Sequence, residues 1–156
     1  MAIVRGCDFP DDLAYDNDLG LWFRFVGTGS WEVGITPFGL ARTGEVYMFN
    51  SRPLGRTIES GRAFALIEVA KSVLALRCPF DCTISAINEA LAQRPAPLNR
   101  DPYGHWLCRL DVAPAVSAQQ AQNLLMCGVA VTPRAIALMD LNAFEGPPGA
   151  DPGVSA

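Results

Sequence analysis

Between residues 21 and 110 the apolar positions fall in short runs separated by glycine, proline and polar clusters, a rhythm of strands. Leu21-Trp22-Phe23-Arg24-Phe25-Val26 and Trp31-Glu32-Val33-Gly34-Ile35 flank Gly27-Thr28-Gly29-Ser30 and predict a β-hairpin. Thr36-Pro37 reads as a cap with proline at the first helical position, opening a brief helix that ends near Gly44. Glu45 to Phe49 reads as a strand, and Pro53-Leu54-Gly55 as a turn. The spacing predicts strands over Arg62–Ala70, Ser72–Cys78 and Thr83–Ile87, then a helical turn or loop over Asn88–Gln93. Three prolines between Pro95 and Gly104 exclude a regular ladder, so that segment is expected to be irregular. Trp106–Leu110 is expected to close the set.

After Pro114 the rhythm becomes helical. Ser117 can cap a helix running to about Cys127, with Gly128 as its stop. Thr132-Pro133 repeats the cap-and-proline signature, and Ile136, Met139 and Ala143 fall at helical spacing. The glycine- and proline-rich residues from Glu145 onward are expected to form a flexible tail. The pattern thus predicts a mainly β fold, a small barrel or sandwich with helical additions.

Composition narrows the function classes. A chain of 156 residues, half of them hydrophobic and 18% charged, fits one globular domain with a normal core. A net charge of −4 gives no footprint for nucleic acid. No apolar run approaches the roughly 20 residues of a membrane span. The first seven residues contain no export signal, and five cysteines make an odd number. The expectation is a cytoplasmic, monomeric protein with reduced thiols.

One residue then stands out. Lys71 is the only lysine against eleven arginines, and it lies between two strand-like apolar runs. An unpaired ammonium is costly to bury, which places Lys71 at the exposed apex of a hairpin.

Around it the sequence resembles the lipoyl-carrying H proteins of the glycine cleavage system over most of residues 5–111. Glu68, Lys71 and Pro79 stand at the family's spacing. Asn88-Glu89-Ala90-Leu91, Pro95, Asn99 and Asp101-Pro102-Tyr103-Gly104 follow in the family's order. Val33-Gly34-Ile35-Thr36 and Gly44-Glu45-Val46-Tyr47 are similar to two further family segments. The resemblance implies a barrel-sandwich hybrid of lipoyl and biotinyl type over residues 1–113. Residues 114–145 then form a helical extension, and residues 146–156 the tail. It implies lipoate amide-linked to Lys71, with Glu68 recognised by the lipoate-attaching enzyme. Glu68 also reads as an exposed strand-end charge. Lysine suits such a role because it supplies a long stem ending in an acylatable amine. A carrier needs no catalytic residue of its own, and the single histidine, His105, offers no convincing triad. A biotin carrier is disfavoured because Ala70 and Ser72, not methionine, flank the lysine.

The chain also departs from ordinary H proteins. Gly20-Leu21 precedes Trp22, where the family carries His-Glu, and Cys82 replaces a glycine. Gly104-His105-Trp106 shortens a family motif, and Ser72 to Leu76 is unusually apolar. With Arg5-Gly6-Cys7 and Pro10-Asp11-Asp12-Leu13, these features resemble H-like lipoate-binding proteins of heterodisulfide-reductase-like sulfur oxidation. That resemblance implies sulfur-oxidising partners. The alternatives are the glycine cleavage P, T and L proteins, or an interaction module without lipoate. Cys78, Cys82, His105 and Cys108 could be drawn as a zinc site, but their spacing reads better as structural thiols. Cys7 and Cys127 are candidate redox partners of the lipoyl thiols, although free cysteines commonly pack as small hydrophobes.

Overall fold

The computed structural model describes residues 2–114, 116 and 118–146. Strand β1 (Ala2–Val4) pairs with β2 (Cys7–Phe9) as a separate hairpin. A six-stranded antiparallel sheet follows the order β3 (Ala14–Asp16), β4 (Leu21–Gly27), β5 (Ser30–Ile35), β11 (Cys108–Val112), β10 (Cys82–Ile87) and β7 (Thr57–Ile58). A three-stranded antiparallel sheet is formed by β6 (Met48–Ser51), β8 (Ala63–Val69) and β9 (Ser72–Arg77). The core unites Leu21, Phe23, Val33 and Leu110 of the larger sheet with Phe49, Phe64 and Ile67 of the smaller one. This is the mainly β architecture with helical additions that the sequence predicts, with sheets of unequal size.

Local chemistry accounts for several elements. Between β5 and helix α1 (Pro37–Thr43), Thr36 Oγ1 accepts a hydrogen bond from the Gly39 amide, and Pro37 sits at the start. Gly44, at φ +88°, donates its N–H to the Leu40 carbonyl and stops the helix. On the larger sheet Gly34 lies beneath Trp22, where a Cβ would come within 2.3 Å of the indole.

Elsewhere tertiary contacts override the sequence pattern. The strand expected from Glu45 begins only at Met48, because the Asn99 side chain holds Val46 from both sides. Its Oδ1 accepts from the Val46 N–H (2.8 Å) and its Nδ2 donates to the Val46 carbonyl (3.0 Å). The segment from Pro95 makes no ladder but is helical rather than irregular. Helix α2 (Glu89–Gln93) precedes it, and the segment itself contains α3 (Ala96–Arg100) and then a 3₁₀ turn (Pro102–Gly104). Pro95 caps α3, and Pro97 and Pro102 occupy first-turn positions, where a missing N–H costs nothing. The closing strand starts at Cys108, two residues later than expected.

In the C-terminal part, α4 (Ala118–Asn123) ends well before Cys127. Met126 instead exchanges two backbone hydrogen bonds of 2.7 Å with Tyr15. Gly128 opens a 3₁₀ turn rather than stopping a helix, and Ser117 lies outside the described residues. Helix α5 (Val131–Leu141) begins before Thr132, which therefore does not cap it. Its buried residues are Val131, Ala135, Leu138 and Met139, whereas Ile136 is exposed and Ala143 lies beyond its end. That face packs with Val4, Cys7, Phe9, Tyr15, Trp22 and Phe38 in a second apolar cluster. Arg5 joins the two termini by donating to the Phe144 carbonyl and pairing with Asp140. Most of the expected tail, residues 147–156, lies outside the described residues.

Candidate functional site

Lys71 occupies the turn between β8 and β9. Val69 pairs with Ser72, so Ala70 and Lys71 alone form the connection. Neither residue is at positive φ, so the turn needs no glycine. Ala70, Lys71, Ser72 and Val73 are all exposed. Among the described residues, none forms a hydrogen bond or ion pair with the Lys71 side chain. The amine is therefore displayed without a competing contact.

The base of the turn is firm because the hairpin has two different faces. Phe49, Ile67 and Leu74 align across the three strands on the inner face, with Phe49 and Ile67 fully buried. Each such side chain removed from water contributes about 1.5–3 kcal/mol. On the outer face Met48, Glu68 and Val73 form one row, followed by Asn50, Leu66 and Ala75. Met48, Leu66 and Val73 are exposed, leaving the Glu68 carboxylate within an apolar surface three residues from Lys71. The Tyr47 N–H donates to the Glu68 carbonyl at 2.8 Å and fixes the adjoining edge. Met48 and Leu66 escape a reading from sequence because only the β6–β8 register places them beside Glu68.

From Val46, which Asn99 clamps, the chain runs back to a cavity of about 600 Å³. Its walls include Leu40 and Glu45 on one side, and Asn99, Asp101 and Tyr103 on the other. This volume falls within the small-ligand range.

Four of the five cysteines are buried. Cys7 is fully buried in the second apolar cluster, on β2. Burial and the nearby Asp8 push its thiol up to about 11, which favours packing over thiol exchange. Cys127 is exposed. Cys78 and Cys82 lie in the core with their sulfurs 3.3 Å apart, and the Cys82 contact together with burial pushes the Cys78 thiol strongly up. Burial pushes Cys108 up to about 12, with its sulfur 3.3 Å from Ser51 Oγ. His105 follows the 3₁₀ turn and is not on a strand with Cys108. Among the described residues no group of three or more His, Cys, Asp or Glu side chains is placed to hold a metal ion. Nor is any helix among them long and apolar enough to cross a membrane.

The family model described as "Glycine cleavage H-protein" matches residues 13–132. Glycine cleavage system H protein 2 of Aquifex aeolicus is 32% identical over 122 residues, covering 78% of this chain and 74% of the relative. The glycine cleavage system H protein of Bacteroides thetaiotaomicron is 35% identical over 113 residues, covering 72% and 88% respectively. In fold, the chain is similar to the crystal structure of a glycine cleavage system H protein from Mycobacterium marinum. The TM-score is 0.63 at 24% identity, over 86% of this chain and 99% of that one. A barrel-sandwich architecture, the ordered sequence match and its extent together make this chain a member of the glycine cleavage H-protein family.

Proposed function

We propose that this protein is a lipoate carrier, not an enzyme, with lipoate amide-linked to Lys71 by a lipoate-attaching enzyme. The observation that carries the reading is the only lysine of the chain, unpaired and exposed in a two-residue turn on an anchored hairpin. The site fits the group. The amine is free to be acylated, acylation removes its charge, and a turn without positive φ requires no rearrangement of the backbone. When bound, lipoate supplies a dithiolane that can be reduced to two thiols or can carry a thiol-linked cargo. The protein's part is mechanical. Phe49, Ile67 and Leu74 hold the root of the arm, and the outer row presents Glu68 to the attaching enzyme.

Two sets of partners are open to such an arm. The names of the relatives point to the glycine cleavage P, T and L proteins. The exposed Val73, Leu66 and Met48 around Glu68, on the hairpin that carries Lys71, favour a heterodisulfide-reductase-like sulfur-oxidising complex, because an apolar rim suits insertion into a partner's pocket. We take the second as the working assignment, in the cytoplasm, with residues 1–113 as the carrier and 114–145 as its helical extension.

The test is peptide mass spectrometry of protein from its native host, grown on a reduced sulfur compound and then on glycine. A lipoyl adduct on the Lys71 peptide, bearing extra sulfur only during sulfur oxidation, is expected. A one-carbon load only on glycine would assign the arm to glycine cleavage. Bare Lys71 in cells with active lipoylation would overturn the carrier reading.

A further inference from the structure

At the end of the hairpin farthest from Lys71, Arg52, Arg56 and Arg62 line an open cavity of about 270 Å³ with Thr57 and Ile58, and Glu59 is the only acid among its described lining residues. Arg77 belongs to the same end, since it pairs with Ala63 and donates to the Gly61 carbonyl at 2.9 Å. All four arginines are exposed, and none forms an ion pair with a described residue. Among the described residues the Arg52 side chain makes only a long bond to the Ala63 carbonyl, at 3.4 Å, so the guanidinium forks remain available. Gathering four cations at one end of a chain with net charge −4 is a local inversion of the protein's field.

An apolar residue sits among these charges. Leu54 is 63% exposed at the tip of the turn from Pro53 to Arg56. The turn is preset. Arg56 N–H donates to the Pro53 carbonyl, and Gly55 takes φ +83° at the position where this turn type requires glycine. It is also lashed to β10. Gly55 N–H donates to the Ile84 carbonyl (2.8 Å), and Ile84 N–H donates to the Arg56 carbonyl (3.0 Å). An ordered apolar tip flanked by arginines has the makeup of a protein-binding surface, with little left to order on binding.

We propose that this arginine-rimmed turn docks an acidic segment of a partner protein. Leu54 enters an apolar contact, and Arg52, Arg56 and Arg62 pair with carboxylates, to which the planar guanidinium is matched bidentately. The complementary charge selects this occupant, and the projecting leucine distinguishes it from a small-anion pocket. The seven residues of β8 separate the site from the turn by about 20 Å, so a partner held here leaves Lys71 uncovered. The proposal does not depend on modification of Lys71.

The test is fluorescence anisotropy of the full chain with a labelled peptide of alternating glutamate and leucine, its glutamine counterpart, and inorganic pyrophosphate as competitor. The glutamate peptide is expected to bind and the glutamine peptide not. Affinity should fall about tenfold between about 50 and 300 mM NaCl as the charges are screened. Replacing Arg52, Arg56 and Arg62 together by alanine should weaken binding at least about tenfold, and Leu54→Ser a few-fold at unchanged salt dependence. Lys71→Ala should leave it unchanged. The single variant Arg56→Glu, with circular dichroism as the folding check, gives the same reading if the triple variant fails to fold. Absence of peptide binding, or equal binding by folded variants, would overturn the proposal. Full displacement by pyrophosphate with no effect of Leu54→Ser would make it a small-anion site instead. Self-association of wild type that disappears in the arginine variant would assign the surface to a second copy, and would equally overturn it.

Discussion

Glu68 pairs with Val73 across the β8–β9 ladder, one step from the turn that carries Lys71. A carboxylate and a branched apolar side chain thus share the exposed face beside the only amine side chain of lysine type in the protein. The turn itself makes no demand on Lys71, which is exposed, at ordinary φ and unpaired among the described residues. Lys71→Arg and Lys71→Ala should therefore change stability by no more than about 0.5 kcal/mol. Urea melts of the three proteins check this, and a large loss would mean that Lys71 has a structural partner.

The two faces of β8 should respond oppositely to truncation. Ile67 is fully buried against the core, whereas Leu66, its neighbour, is 41% exposed. Ile67→Ala should cost about 2–5 kcal/mol, with transfer and cavity costs together. Leu66→Ala should stay within about 0.5 kcal/mol and leave the hairpin intact. Equal losses in denaturant titration would contradict the register that seats the turn bearing Lys71.

Gly34→Ala should damage the larger sheet. Its new methyl group would meet the Trp22 ring at 2.3 Å, and the indole cannot retreat easily. Trp22 is fully buried, its Nε1 donates to the Pro102 carbonyl at 3.1 Å, and the Arg24 guanidinium lies 4.7 Å from its ring centre. Overpacking of this kind costs about 1–3 kcal/mol or more. Tryptophan emission should shift with the loss of stability, and an unperturbed spectrum at wild-type stability would refute the contact.

The thiols predict alkaline sensitivity. Cys7 is raised to about 11 by burial and Asp8, and Cys108 to about 12 by burial, both from 9.0. As pH climbs past 9.0, the unfolded chain releases these protons first while the folded chain retains them. Stability is thus unaffected by these groups below pH 9.0 and is lost as pH rises toward 11 and 12. In chemical denaturation at stepped pH, Cys7→Ala should flatten that decline, and substitution of the exposed Cys127 should not. In a thiol-labelling assay on the folded protein, Cys127 should react fast and the four buried cysteines slowly. Rapid labelling of Cys7 would contradict its place in the core.

Features governed by near neighbours were legible in the sequence. The hairpin of β4 and β5, the Thr36 cap with Pro37, and the strands on either side of Lys71 all rest on local turn and cap chemistry. What escaped depends on contacts distant in sequence. Asn99 delays β6 by seizing Val46 from 53 residues away, and Tyr15 draws Met126 out of a helix that the pattern would have continued. The burial of Cys7 required α5 to close over the N-terminal hairpin. Likewise the Pro53-Leu54-Gly55 turn could be read directly, but its company of Arg62 and Arg77 could not. Of the site, Lys71 and Glu68 were visible as a spacing, while the apolar row around Glu68 needed the strand register.

The central claim, attachment at Lys71, is tested most directly by the intact mass of the purified chain before and after incubation with a lipoate-attaching enzyme and its substrates. Wild type should gain one lipoyl group, and the equally stable Lys71→Arg variant should gain none. A folded wild-type chain that stays unmodified, or a Lys71→Arg chain that is modified, would contradict it.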